Sequence, residues 1–279
     1  MQVRVDGLAW ISKSDLSYAQ LRELRRILTV TPKKVGDHPG DAPDPMYLYE
    51  ETDEEIGIAR GYFQKHRKPY HKVDLRITSG NMDKYSGPVE FSGKLRPAQQ
   101  QALDEVELRL RAGQWGGMVQ AVTGFGKTVL ACALMAKLQV PTLVIVHKEF
   151  LMNQWKDRLQ QFLPESKIGI IQQNRCEYEG ATVAVAMVHS LSGKDRYPDE
   201  LWSWPGLIVV DECHRIGAAT WSGVPQKFNA RWRLGFSATP RRKDGADTPG
   251  LELAATAGRG WQVWAKEEQV IASGCLLGQ

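Results

Sequence analysis

The chain is poor in the features that would set it apart from ordinary globular proteins. Its 279 residues include four cysteines, Cys132, Cys176, Cys213 and Cys275, and no two of them stand in C-x-x-C spacing. This scarcity argues against a disulfide framework and a cysteine-rich zinc site, and suits a reducing compartment. No apolar run approaches the roughly 20 residues that a membrane-spanning helix needs. The opening MQVRVDGLAWISKSD carries acids where a secretory signal needs an unbroken apolar stretch. Internal repeats and low-complexity tracts are missing, so solenoid and tail-like classes drop out. A strong charge imbalance is missing as well: 36 basic against 32 acidic side chains leave +4. Such an excess permits a nucleic-acid partner without demanding one. Residues 1–90 carry 14 side chains of each sign, so the whole surplus lies downstream of Glu90.

What is present is a core-forming composition, 42% apolar and 24% charged, close to the average for packed domains. The first 90 residues alternate strand-like and turn-like segments around one helix. Ser17 and Gln20 form a capping-box pattern at its start, and Tyr18, Leu21, Leu24 and Leu28 follow at helical spacing. The proline-rich stretch TPKKVGDHPGDAPDP then reads as a long loop. MYLYE and KVDLRIT read as strands, which makes residues 1–90 a small α+β domain. From FSGKLRPAQ onward the pattern changes. GGMVQAV, PTLVIVH, KIGII, ATVAVAM, GLIVVDE and RWRLGFS read as short buried strands, separated by amphipathic segments such as LACALMAKL and EFLMNQWKDRLQQFL. Strands alternating with helices predict an α/β fold, a parallel sheet flanked by helices, over residues 91–245. Trp155, with Leu151 and Leu159 four residues away on the same helical face, reads as core.

Three short segments carry chemistry. AVTGFGKT, residues 121–128, follows a predicted strand and opens a predicted helix. Gly124 and Gly126 allow the tight turn that aims successive N–H groups, with those of Thr123 and Phe125, at a phosphate on the helix N-terminus. Lys127 reaches the outer phosphates, and the Thr128 hydroxyl suits magnesium. GLIVV runs directly into Asp211 and Glu212, which places both acids at the carboxyl end of a buried strand. There Asp211 suits a metal ion, and Glu212 suits a base that takes a proton from attacking water. GFSATP, residues 235–240, ends another predicted strand and offers the hydroxyls of Ser237 and Thr239.

In this order and spacing, LRPAQ, AVTGFGKT, DECH and SATP resemble the upstream half of superfamily 2 helicases and translocases. TLVIVHKEFLMNQW is similar to the family's motif Ia and VAMVHSL to its motif Ib. The wording of GFGKT and SATPRRKDG is most similar to the branch containing XPB and the phage UvsW helicases, which act on DNA. The resemblance implies a RecA-like P-loop domain that hydrolyses ATP with Mg2+. It further implies that Arg96 and Gln99 recognise adenine, that Lys127 and Thr128 hold phosphate and magnesium, and that Asp211 and Glu212 are the metal and catalytic acids. His214, Ser237 and Thr239 would couple hydrolysis to movement, with a satisfied core histidine as the other reading of His214. Residues 246–279 are expected to be a C-terminal tail, with no second RecA-like domain in the chain. Arginine fingers would then be missing unless a second chain supplies them, and turnover by this chain would be slow.

RGYFQKHRKPYHK mixes Arg60, Lys65, Arg67 and Lys68 with Tyr62 and Phe63. Basic groups neutralise phosphates while aromatics stack on bases, so one reading is a DNA contact. The other is a strand and turn whose aromatics pack inward. Arg241 and Arg242 read either as a cleft-lining contact or as a simple basic loop. The expected partner is double-stranded or branched DNA, with no membrane, in the cytoplasm or at the nucleoid. The competing reading is a non-motor protein that binds DNA and nucleotide without productive hydrolysis.

Overall fold

The computed structural model describes residues 1–31, 45–69, 71–80, 89–193, 196–213, 223–238, 262–266 and 269–273. Two large sheets and one two-stranded pair organise them. The first is built from β1 (Gln2–Val5), β2 (Ala9–Ser12), β5 (Tyr49–Glu51), β6 (Glu55–Ile58) and β7 (Lys72–Leu75) in the order β5-β6-β2-β1-β7. Only β1 and β7 run parallel. Alternate residues Val3, Val5, Ile11, Ile56 and Ile58 enter a shared core with Leu28, Leu48 and Phe63, as the two-residue period of a strand requires. Helix α1 (Tyr18–Ile27) starts as expected: Ser17 Oγ accepts from the Gln20 N–H, and Gln20 Oε1 accepts from the Ser17 N–H. Tyr18, however, stands exposed rather than on the packed face. MYLYE is not one strand. β4 (Met46–Tyr47) pairs with β3 (Thr29–Val30), β5 joins the larger sheet, and buried Leu48 divides them. Helix α2 (Arg60–His66) occupies the basic, aromatic run.

The second sheet holds all six strands expected downstream. Its order is β11-β10-β12-β9-β13-β14-β8-β15-β16, with β8 (Gly116–Ala121), β9 (Thr142–Val146), β10 (Ile168–Gln172), β11 (Arg175–Cys176), β12 (Val183–Met187), β13 (Leu207–Asp211), β14 (Trp232–Ser237), β15 (Gln262–Lys266) and β16 (Gln269–Ser273). β10 through β15 in that order are parallel, and antiparallel β11 and β16 close the two edges. β15 and β16 therefore add two strands to one edge of the sheet. Each is five residues long, too short to leave a clear periodicity in the sequence.

Both faces of this sheet are buried, so its strands read as continuous apolar runs rather than alternating ones. Val209 packs on one side with Val119, Val144 and Val185, under α3 (Pro97–Arg111), α4 (Lys127–Leu138) and α5 (Glu149–Phe162). Its neighbours Ile208 and Val210 pack on the other side with Leu143, Ile145 and Phe228, beneath α6 (Val188–Ser192) and α7 (Glu200–Ser203). Residues after β7 then reach the second sheet, where Thr78 bridges Ala230 and exchanges backbone bonds with Asn229 and Arg231.

Candidate functional site

Strand register brings the three motifs to one edge. Asp211 lies beside Phe236 in the β13–β14 ladder, and Ser237 lies beside Gln120 in the β14–β8 ladder. The carboxyl ends of adjacent parallel strands thus place Asp211, Ser237 and the loop after Ala121 side by side, where open α/β sheets take ligands.

The loop itself is built for close approach. Gly124 and Gly126 adopt φ +86° and +89°, a left-handed conformation that side chains rarely tolerate. Gly126 is also the N-cap of α4, a 12-residue helix with no acid in its first turn to oppose an incoming anion. Phe125 turns its ring into the core beneath helices α3 and α4, so only its backbone is left to the site. Arg96 lies over that ring, 5.8 Å from its centroid, and its Nη2 donates to the carbonyls of Gly124 and Phe125. Gln99 is buried, with Oε1 accepting from the Arg96 N–H at 2.8 Å and Nε2 donating to the Phe125 carbonyl at 2.7 Å. Arg96 and Gln99 are therefore braces of the loop in this conformation, each engaged with backbone groups. The exposed tip is residues 122–124, including Thr123, with Lys127 and Thr128 half-buried behind it.

Lys127 Nζ lies 3.6 Å from Glu212 Oε1 and donates to the Ala121 carbonyl at 3.4 Å. Glu212 has φ +47°, in the left-handed region despite its side chain. Such strain persists only where surrounding structure enforces it, and it collects at functional positions. Asp211 is buried, Oδ1 accepting from the Glu212 N–H at 2.9 Å and Oδ2 from Trp155 Nε1 at 2.8 Å. Burial raises its pKa above the usual aspartate value, the Trp155 hydrogen bond opposes this, and the adjacent Glu212 charge adds to it. Trp155 is core, as its spacing predicts, yet its N–H serves the acidic pair. Nothing in the local spacing reveals that, because the two residues are 56 positions apart. Ser237 is buried on β14. His214, Thr239, Arg241 and Arg242 lie outside the described residues.

The N-terminal candidates divide. Helical periodicity puts Arg60, Phe63 and Gln64 on one buried face. There Gln64 Nε2 donates to the Gly113 carbonyl, and Arg60 lies over the Trp115 ring. Arg60 and Phe63 are thus buried, and the segment is a helix rather than a strand and turn. Lys65, Arg67 and Lys68 are exposed, and half-buried Tyr62 sits 4.2 Å from the His66 ring, centroid to centroid. Sequence reasoning missed Phe150, 62% exposed at the start of α5 with Lys148 Nζ 5.7 Å from its ring centroid. The signal was an aromatic in the first turn of the helix that follows β9. Among the described residues no cluster of three metal-ligating side chains occurs, and no helix is long and apolar enough to cross a membrane.

A glycine-rich loop between β8 and α4, facing two acids at the end of a parallel strand, defines the class: the first RecA-like lobe region of a superfamily 2 helicase. The family profile described as "Type III restriction enzyme, res subunit" matches residues 92–242, more than half of the chain, and the chain belongs to that family. Among relatives, "Putative ATP-dependent RNA helicase L396" of Acanthamoeba polyphaga mimivirus is 34% identical over 244 residues, covering 84% of this chain and 44% of the relative. "DNA 3'-5' helicase XPB" of Kineococcus radiotolerans is 35% identical over 162 residues, covering 55% of this chain and 27% of that protein. The chain therefore spans less than half the length of these two relatives. The crystal structure of the UvsW helicase from bacteriophage T4 shares the fold, with TM-score 0.61 and 17% identity over 92% of this chain and 98% of that one.

Proposed function

We propose that this chain is the ATP-binding lobe of an ATP-dependent DNA helicase or translocase, hydrolysing ATP to ADP and phosphate with Mg2+. The observation that carries this reading is the convergence of Lys127 and Glu212, 3.6 Å apart, beside buried Asp211 at the mouth of the glycine-rich loop. The donor set fits the ligands: left-handed glycines for phosphate, and a hydroxyl and a carboxylate, Thr128 and Asp211, for the metal.

In this mechanism the loop N–H groups and Lys127 take the outer phosphates, and Lys127 gives up its contact with Glu212 to do so. Glu212 then stands free to accept the proton of the attacking water. Bound magnesium supplies charge neutralisation on the phosphate oxygens. Arg96 and Gln99 hold the loop and face the base, and Ser237, with His214 and Thr239, links the site to movement. Residues 1–90 act as an accessory nucleic-acid-binding domain. Residues 91–245, completed by β15 and β16, form the ATPase domain. Lys65, Arg67, Lys68 and Tyr62, with Lys148 and Phe150, are the proposed nucleic-acid contacts, together with Arg241 and Arg242. Arginine fingers come from a second RecA-like domain or a partner chain; without them turnover falls by about 10³ to 10⁵.

The test is steady-state ATP hydrolysis with duplex DNA, branched DNA, single-stranded RNA or no nucleic acid, beside Lys127→Ala at matched salt. Stimulation by DNA that Lys127→Ala abolishes supports the proposal. Stimulation by RNA alone transfers the substrate to RNA, and nucleotide binding with no turnover in any arm supports the non-motor reading.

A further inference from the structure

The seam between the two sheets holds two arginines that hydrolysis does not use. Arg60, which opens α2, is 1% exposed, and Arg233, on β14, is 4% exposed. Both donate into the turn between β1 and β2. Arg60 Nη1 reaches the Asp6 carbonyl at 3.2 Å, and Arg233 Nη2 reaches the Gly7 carbonyl at 2.9 Å and the Phe228 carbonyl at 2.6 Å. Binding consecutive carbonyls brings the two guanidinium groups close enough for the charge of Arg60 to act on Arg233. The turn cannot retreat, since a Cβ on Gly7 would stand 1.8 Å from the Gln226 carbonyl oxygen.

Charge at this seam is under-compensated. Asp6 is the acid whose field reaches both arginines. Its carboxylate already accepts from the Arg4 side chain, the Leu8 N–H and Trp10 Nε1. Arg60 Nε, Arg60 Nη2 and Arg233 Nε are buried with no hydrogen-bond partner among the described residues. Nε and Nη2 form the side-on edge of a guanidinium, the fork that matches an anion with two parallel hydrogen bonds. Burial pushes Arg60 down to about 9, and burial together with the Arg60 charge holds Arg233 well below its ordinary value. Arg60 at least stays charged at neutral pH, and two buried arginines that share one already engaged acid are costly for a core to hold.

We propose that a small inorganic anion, chloride or phosphate, sits between Arg60 and Arg233, accepts hydrogen bonds from their unpartnered N–H groups, and staples the N-terminal sheet to the nucleotide-binding sheet. A nucleic-acid phosphate is not the occupant, because a polymer backbone cannot reach groups this deeply buried. The anion is instead a diffusible ion enclosed when the two sheets dock.

Thermal unfolding of the full chain in chloride, phosphate or gluconate at equal ionic strength and pH tests this. Gluconate is the bulky reference. The melting temperature is expected to rise by roughly 2–3 °C per tenfold increase of the bound anion above its dissociation constant. Arg60→Met should lose that anion-specific rise. General salt effects and any anion binding at the glycine-rich loop persist in both proteins and cancel in the comparison. A rise with chloride alone or phosphate alone identifies the ion; equal melting in all three salts, or the same rise in Arg60→Met, overturns the site. If Arg60→Met does not fold, crystals of the unaltered chain soaked in bromide decide the matter. An anomalous peak within hydrogen-bond distance of Arg60 Nε and Nη2, or tetrahedral density there in a parallel phosphate soak, supports the site; a lone water-sized peak in both soaks, or no density, overturns it.

Discussion

Trp155 Nε1 donates to Asp211 Oδ2 across 2.8 Å, tying helix α5 to the end of β13. One oxygen of the proposed metal-binding carboxylate is thereby held by a rigid, buried donor, and the other by the Glu212 N–H. Trp155→Phe keeps most of the packing and deletes the donor. Leaving a buried carboxylate oxygen unpaired costs about 1–3 kcal/mol, measured as a lower urea midpoint with unchanged slope. Turnover should fall more than nucleotide affinity does, and more magnesium should be needed for half-maximal rate, because the carboxylate loses its orientation.

Gly126 and Gly124 separate two effects of a side chain in the loop. Alanine at either position is placed in left-handed backbone, at about 1–2 kcal/mol. At Gly126 its Cβ would also lie 2.4 Å from Gln99 Nε2, whereas nothing stands within 4 Å at Gly124. Gly126→Ala should therefore displace Gln99 and reduce nucleotide affinity by more than Gly124→Ala, as read by calorimetric titration with ADP.

Exposed lysines on and after α2 should act through phosphate contacts. Replacing Lys65 and Lys68 by alanine is expected to weaken nucleic-acid binding for all sequences alike. The slope of log affinity against log salt should fall by about 2 in the same titrations. Unchanged affinity and slope would remove α2 from the interface.

Acid should loosen the first sheet in a defined window. Arg25 and Lys13 hold the Glu51 carboxyl at about 2 against an ordinary 4.5, with Arg25 the larger cause. A lowered folded-state pKa contributes stability above 4.5 that disappears as pH falls toward 2. Solvent screening keeps the contribution below about 1 kcal/mol. Glu51→Gln should show a smaller loss of stability between pH 5 and 2 than the unaltered chain, measured by denaturant midpoints across that range.

Much of the nucleotide-binding fold is legible in one dimension because its strands are buried on both faces. GLIVV has no polar residue and TLVIV only Thr142 at its start, and GLIVV ends where the acidic pair begins. The loop is legible for the same kind of reason, since Gly124 and Gly126 answer a backbone demand that lies within four residues. Helix α2 shows the limit. RGYFQKH is short, rich in charge and aromatic side chains, and its burial depends on Asp6 and Trp115, residues that only the folded chain brings near.

Local chemistry thus determined the parts that neighbours in sequence can specify: the capping box at Ser17, the left-handed loop glycines, the acids at the end of β13. Tertiary structure decided which groups meet. Trp155 finds Asp211, Gln99 finds Phe125, and Arg60 and Arg233 find consecutive carbonyls of one turn. The reason is physical. Conformational preference acts over a few bonds and leaves its mark in the residue pattern, whereas desolvation and hydrogen bonding between distant side chains come into force only when packing has removed the water between them.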